Sequence, residues 1–161
     1  MAIQASSLKV SIRETITING NKYDSFTNQT ITGINEVSKR VVNIPTSSQQ
    51  IINVSGSIGS GTYITENIKY IRISNLNDSS NPHSVDLTFR SQDSDEFAVK
   101  LDYGGTFMYP ATVTNGVSGS MDAIDAGEAN LTQLASLKQI TAKTSGSASD
   151  STDLEIFIAS S

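Results

Sequence analysis

Ser84-Val85-Asp86-Leu87-Thr88-Phe89-Arg90 alternates apolar and polar side chains without a break, and Glu96-Phe97-Ala98-Val99-Lys100-Leu101-Asp102-Tyr103 repeats the pattern a few residues later. In an extended chain Val85, Leu87 and Phe89 fall on one side and Asp86, Thr88 and Arg90 on the other, the period-2 signature of a half-buried strand. Three such runs follow one another between Lys69 and Pro110 with only turn chemistry between them. A strand with one dry and one wet side calls for an antiparallel sheet, so the expected architecture is an antiparallel sandwich or barrel.

Towards the N-terminus, Leu8, Val10, Ile12, Ile16 and Ile18 keep one parity, and the run stops at Asn19-Gly20, a strong turn dipeptide. A long first strand bent near Glu14 is expected there. Residues 21–27 read as a polar connection anchored by Tyr23 and Phe26, and residues 30–34 as a short strand. Val37, Val41, Val42 and Ile44 make a strand closed by Pro45, which has no amide hydrogen to give to a central ladder. Ile51, Ile52 and Val54 mark another. Gly56, Gly59 and Gly61 then form a stretch too permissive for an element interior, read as a flexible hairpin tip. Ile68, Tyr70, Ile71 and Ile73 are apolar on both parities, which predicts a central strand covered on both faces.

Residues 75–83 are turn chemistry throughout. Tyr103-Gly104-Gly105-Thr106 predicts a tight turn into a strand at Phe107–Tyr109, and two further strands are expected at 137–144 and 153–159. Residues 111–135 break the rhythm and read as an ordered excursion. The sum is one all-β domain over residues 1–161. It is expected to be an antiparallel two-sheet sandwich, jelly-roll-like, of about eight to ten strands, with an N-terminal arm at 1–7 and a long contact loop at 111–135.

Composition narrows the function classes. The chain of 161 residues has no cysteine, which excludes disulfides, thiolate zinc sites and cysteine nucleophiles. A net charge of −5 with scattered basic residues argues against a nucleic-acid surface, which needs clustered Lys and Arg. Ser and Thr supply roughly a quarter of the residues while only 17% are charged, so surface polarity rests on hydroxyls and amides. No apolar run approaches the ~18 residues of a membrane span, and the first residues show neither a basic nor an apolar leader region. A soluble protein that engages neither membrane nor nucleic acid is expected.

Residues able to carry chemistry are few. His83, the single histidine, follows Pro82 in a turn; a Ser-His-Asp arrangement would need a nucleophile elbow that the sequence lacks, so a surface turn histidine is expected. One histidine also cannot supply the usual catalytic zinc set. Asp93, Asp95 and Glu96 could help hold Ca²⁺ or supply a general acid and base, but EF-hand spacing is absent and a solvated turn is the expected reading. The same holds for Asp122, Asp125 and Glu128. Tyr63, Tyr70, Tyr103 and Tyr109 could stack on a sugar, although four tyrosines in a sandwich ordinarily line the edge of its core. Asn28, Asn53, Asn77 and Asn130 open N-x-S/T sequons, which matter only on a secreted eukaryotic product. No catalytic, cofactor-binding or metal-ligating residue is assigned.

Glu14-Thr15-Ile16-Thr17-Ile18-Asn19-Gly20, Lys39-Arg40-Val41-Val42-Asn43-Ile44-Pro45 and Lys69-Tyr70-Ile71-Arg72-Ile73-Ser74-Asn75-Leu76 together resemble small virion structural proteins of tailed phages, particularly those of marine and cyanobacterial hosts. The likeness extends through Phe97-Ala98-Val99-Lys100-Leu101 to the Gly104-Gly105-Thr106-Phe107 turn. It implies a non-enzymatic capsid decoration or cement protein, made in the host cytoplasm and residing on the capsid surface. It also implies a homotrimer bound to the major capsid protein, with contacts made by the arm at 1–7 and the loop at 111–135. The alternative is a carbohydrate- or receptor-binding module of a tail fibre or baseplate.

Overall fold

The computed structural model describes residues 6–55, 63–64, 67–91, 96–110 and 137–161. The expectations placed on residues 1–5, Gly56, Gly59, Gly61, Asp93, Asp95 and 111–135 lie outside the described residues. Ser6 and Ser7, expected in an arm, begin the first strand.

Strand β1 (Ser6–Ile18) turns back at Asn19-Gly20 into β2 (Asn21–Ile34), and the two pair antiparallel from Ile18↔Asn21 down to Ser6↔Ile34. Asn19 (φ 50°) and Gly20 (φ 81°) both take the left-handed conformation that a two-residue type I′ turn requires. That turn locks the register, so residues 21–27 continue the ladder despite their polarity. The expected separate connection and short strand are one strand of 14 residues. The ladder runs past Glu14 without a register shift. Gly33 (φ 75°) sits where the register shifts between Ser6 and Ser7, a bulge that redirects the chain at the hairpin's root.

The rest of the described chain forms two sheets. One has four strands in the order β3 (Glu36–Pro45), β11 (Ser151–Ser160), β6 (Ile68–Asn75), β9 (Thr106–Pro110). The other runs β5 (Tyr63–Ile64), β4 (Gln49–Ser55), β10 (Leu137–Thr144), β7 (Val85–Ser91), β8 (Glu96–Leu101). The result is an all-β, sandwich-like arrangement of three sheets, the hairpin being the third. Eleven strands among the described residues exceed the expected eight to ten by the two-residue β5, whose pairing with β4 is the parallel exception.

The pairings are nested. β7 pairs with β8, β6 with β9, β4 with β10 and β3 with β11, all antiparallel, like an antiparallel ribbon folded on itself. Links from β11 to β6 and from β10 to β7 join the pairs into the two sheets. The inner faces meet in one core built of Ile71 and Ile73, Leu87 and Phe89, Ile140, and Leu154, Ile156 and Ile158. Phe89 stacks on Phe97 at 4.6 Å and lies 4.9 Å from Phe107, so aromatic rings fill the β8–β9 side.

Polar ties close the ends of the sandwich. Asn75 is buried; its Nδ2 donates to the carbonyls of His83 (3.0 Å) and Leu101 (3.2 Å), while Oδ1 accepts from the Asn77 amide (3.0 Å). Thr144 Oγ1 donates to the Ile44 carbonyl at 2.6 Å, bridging the sheets. A bulge between Ile140 and Thr141 leaves Ile51 without a ladder partner, and the Arg40 guanidinium donates to its carbonyl. Each tie gives a buried backbone group the partner it would otherwise lack.

Removing side-chain volume from the fully buried Ile156 leaves a cavity between the sheets. Ile156→Ala is expected to cost about 2–5 kcal/mol, whereas Ile16→Ala on the exposed hairpin changes global stability by less than about 0.5 kcal/mol. Urea titrations of the two variants check this; equal midpoints would show that the core is misplaced.

Candidate functional site

In the hairpin, residues directly opposite each other share a face. One face carries Leu8 with Ile31, Val10 with Gln29, Ile12 with Thr27, Glu14 with Ser25, Ile16 with Tyr23 and Ile18 with Asn21. The opposite face carries Lys9, Arg13 and Lys22, the last paired with Asp24 at 2.8 Å. The ribbon is therefore amphipathic along a length of about 40 Å.

Only its root is covered. Ile31 and Ile34 pack with Tyr70 and Ala159, and Leu8, Val10 and Phe157 close around them, fastening the hairpin to the outer face of the four-stranded sheet. The Asn35 amide adds a bond to the Ser160 carbonyl at 2.8 Å. Further out the same face has nothing over it among the described residues: Ile12, Ile16, Ile18 and Tyr23 are exposed on it, Ile16 and Tyr23 to 55% and 57%, with Glu14 and Ser25 between Ile12 and Ile16. Phe26, 64% exposed, points from the opposite face. Tyr23 and Phe26 thus do not anchor the hairpin as expected; alternate pointing of successive positions sends them to different sides.

Between the root and the sheet opens a groove of about 320 Å³, walled by Leu8, Val10 and Ile12 on one side and Tyr70, Phe157 and Met108 on the other. Arg72 borders it, held against Glu155 and 5.8 Å from the centre of the Phe157 ring. Glu155 also pairs with Lys39 at 2.9 Å. The Lys39 hydrogen bond, then the Lys39 and Arg72 charges, hold the Glu155 carboxyl below its ordinary range against an opposing desolvation. Burial raises the Tyr70 hydroxyl above its ordinary value, with Arg72 pulling the other way. Beyond the groove the same sheet face exposes Val37 and Val41.

The outer face of the five-stranded sheet contrasts with this. Asp86, Thr88 and Arg90 on β7 stand beside Lys143 and Thr141 on β10 and Lys100, Ala98 and Glu96 on β8. Arg90 pairs with Glu96 at 3.0 Å. That face is built for water, whereas the outer face of the four-stranded sheet leaves Val37, Val41 and Met108 exposed.

The residues singled out in the sequence are scattered. His83 Nε2 lies 3.8 Å from Asp150 Oδ1, but the nearby hydroxyls of Ser84 and Ser145 are bonded to each other at 2.5 Å, and the Ser145 amide donates to the Ser84 carbonyl. The group clasps the loop before β7 to the turn after β10. Tyr70 and Tyr109 lie on opposite faces of one sheet, and Tyr103 is exposed in a turn. Glu96 is engaged by Arg90. Among the described residues no cluster of three metal-ligating side chains occurs. Asn28 accepts a hydrogen bond from Ser11, and Nδ2 of Asn77 is buried.

Sequence reasoning missed the distal hairpin as a surface. The available signal was length, since a paired run of 13 residues greatly exceeds the usual strand of about 5–6 and outreaches any sheet of that size. No protein-family model, curated protein or solved structure matches the chain.

Because the folded state holds Glu155 ionised, the stability it lends is present above the ordinary glutamate range and is lost as pH falls through its lowered value. Wild type is expected to shed this contribution on acidification. Glu155→Gln should start lower by no more than about 1 kcal/mol and show a flatter decline in pH-dependent urea melts; parallel curves would contradict the clamp.

Proposed function

We propose that this protein is a non-enzymatic virion structural protein, a capsid decoration or cement protein that stabilises a phage head by binding the major capsid protein as a homotrimer, and that its sandwich is a jelly roll. The jelly-roll reading is supported by the nesting of four antiparallel pairs, because a ribbon so folded places alternate pairs in opposite sheets and yields two Greek keys. The functional reading rests chiefly on one observation. A projecting hairpin leaves Ile12, Ile16, Ile18 and Tyr23 bare on one face, and large exposed apolar side chains gathered in this way mark a surface that meets another polypeptide.

A module of this sort acts by many weak contacts repeated over a particle, and affinity then comes from multiplicity and interface area. The sugar-binding alternative draws no support from the described tyrosines, which do not converge on a common groove. A hydrolytic role for His83 would need a free hydroxyl beside it, and Ser84 and Ser145 are bonded to each other.

The purified chain is expected to co-sediment saturably with undecorated phage heads and to raise the temperature at which those heads rupture. His83→Ala should leave both effects unchanged. Absence of co-sedimentation together with unaltered rupture would refute the proposal.

A further inference from the structure

The Asn19-Gly20 dipeptide that turns the hairpin is also chemically labile. An asparagine carboxamide is open to attack by the backbone nitrogen of the residue after it, which places asparagine among the heat-labile residue types. A side chain on that next residue hinders the approach, and glycine has none. Among the described residues Asn19 is the one asparagine followed by glycine. Asn28, Asn43 and Asn75 are followed by larger residues and also hold their carboxamides in hydrogen bonds, to Ser11, Asp153 and the His83 carbonyl. Asn19 and Gly20 are exposed and stand beyond the last ladder pair, Ile18↔Asn21, and a side-chain carbon placed on Gly20 would meet nothing within 4 Å.

One constraint opposes the reaction. Ring closure brings the carboxamide carbon, Cα and the Gly20 nitrogen close to one plane, a rotation about the Asn19 Cα–C bond that a type I′ turn does not take. The turn must therefore open first. Opening is easy at this end, because the outer half of the ribbon is bare among the described residues and a lone two-stranded ribbon is marginally stable in water. At the root, Ile31 and Ile34 are fastened to Tyr70 and Ala159.

We infer that Asn19 is a site of self-modification whose rate is set by opening of the hairpin tip. The Gly20 nitrogen gives its proton to hydroxide and attacks Cγ of Asn19 with its electron pair. The new N–Cγ bond closes a succinimide as the Cγ–Nδ2 bond breaks, and Nδ2 takes a proton from water and leaves as ammonia. Water then opens the ring at either carbonyl, giving aspartate in the ordinary linkage or isoaspartate, whose backbone runs through Cβ and Cγ. The two products act differently on the fold. Aspartate before glycine still suits a type I′ turn, whereas isoaspartate adds a carbon to the backbone of a two-residue loop and unpairs the positions beside it. Neither reaches the sandwich core. The inference is independent of what the protein binds.

The test is peptide mapping by mass spectrometry of the full folded chain aged at mildly alkaline pH. Mapping separates residue 19 from the second Asn-Gly, at 115–116, which lies outside the described residues. Asn19 is expected to convert well ahead of Asn28, Asn35 and Asn53, with release of ammonia, and to slow as pH is lowered. Conversion of Asn28 or Asn53 as fast as Asn19 overturns the inference. The opening step is tested by a cross-strand lock. Ile18↔Asn21 closes the turn as a hydrogen-bonded pair, so Thr17↔Lys22 is a non-hydrogen-bonded pair with Cα atoms about 4.5 Å apart, within reach of a disulfide. The chain has no other cysteine. Thr17→Cys with Lys22→Cys should protect Asn19 several-fold when oxidised relative to the same variant reduced. Equal rates overturn the opening step, and so do thiols that fail to join, since the tip would then not be paired as described. Hydrogen exchange in aged wild type should rise at residues 16–23 with the urea midpoint unchanged, and Asn19→Asp should exchange like fresh protein. An equal rise in both would overturn the effect assigned to the altered linkage.

Discussion

The inward faces of β11 and β6 pressed against those of β10 and β7 are the contact on which the remaining structure depends. Leu154, Ile156 and Ile158 alternate along β11 so that every second side chain enters the space between the sheets, and β11 is flanked on both sides by β3 and β6. β11 is the last strand in sequence. Its partners in β3 lie about a hundred residues earlier, as in the Asn43–Asp153 side-chain bond spanning 110 positions. The four-stranded sheet is therefore complete only when the chain's far ends have met, and loop-closure entropy opposes that meeting until apolar burial offsets it. Asn75, Thr144 and Arg40 sit around this core and satisfy the carbonyls that the sheet ends and a bulge leave over.

A sandwich has two outer faces, and here they are treated differently. The face over β10, β7 and β8 is lined with charged and hydroxyl side chains in cross-strand register, which keeps it in water. The face over β3, β11 and β6 carries the Lys39–Glu155–Arg72 chain of charges beside exposed valines and the aromatic Phe157. Charge pairing there holds Arg72 along Phe157 and shapes the groove beside the hairpin root. The molecule thus has one polar outer side and one that leaves apolar side chains exposed, and the hairpin extends the second.

Much of the sandwich was legible beforehand. Val85, Leu87 and Phe89 are buried as their alternation required, Ile71 and Tyr70 are covered on opposite faces of β6 as their double parity suggested, and Asn19-Gly20 turns as its backbone preferences dictate. The hairpin was read less well. Tyr23 and Phe26 were expected to anchor a polar connection and instead continue a strand and face solvent, because a tight turn imposes pairing on whatever follows it. The hairpin's one register shift falls at Gly33, a position whose need for a left-handed backbone shows only once the register is known.

What the residues determined alone is local: which side of each strand is apolar, where the chain must turn, and that disulfides and thiolate metal sites are excluded. Which strands become neighbours, and which apolar faces stay uncovered, were decided by the tertiary structure. The reason is physical. Alternation records the face a side chain takes, a property of two bonds, whereas burial of that face depends on what lies over it, and that is supplied by residues distant in sequence. Ile156 and Ile16 have the same side chain at the same strand period, and only the body's reach separates the buried one from the bare one.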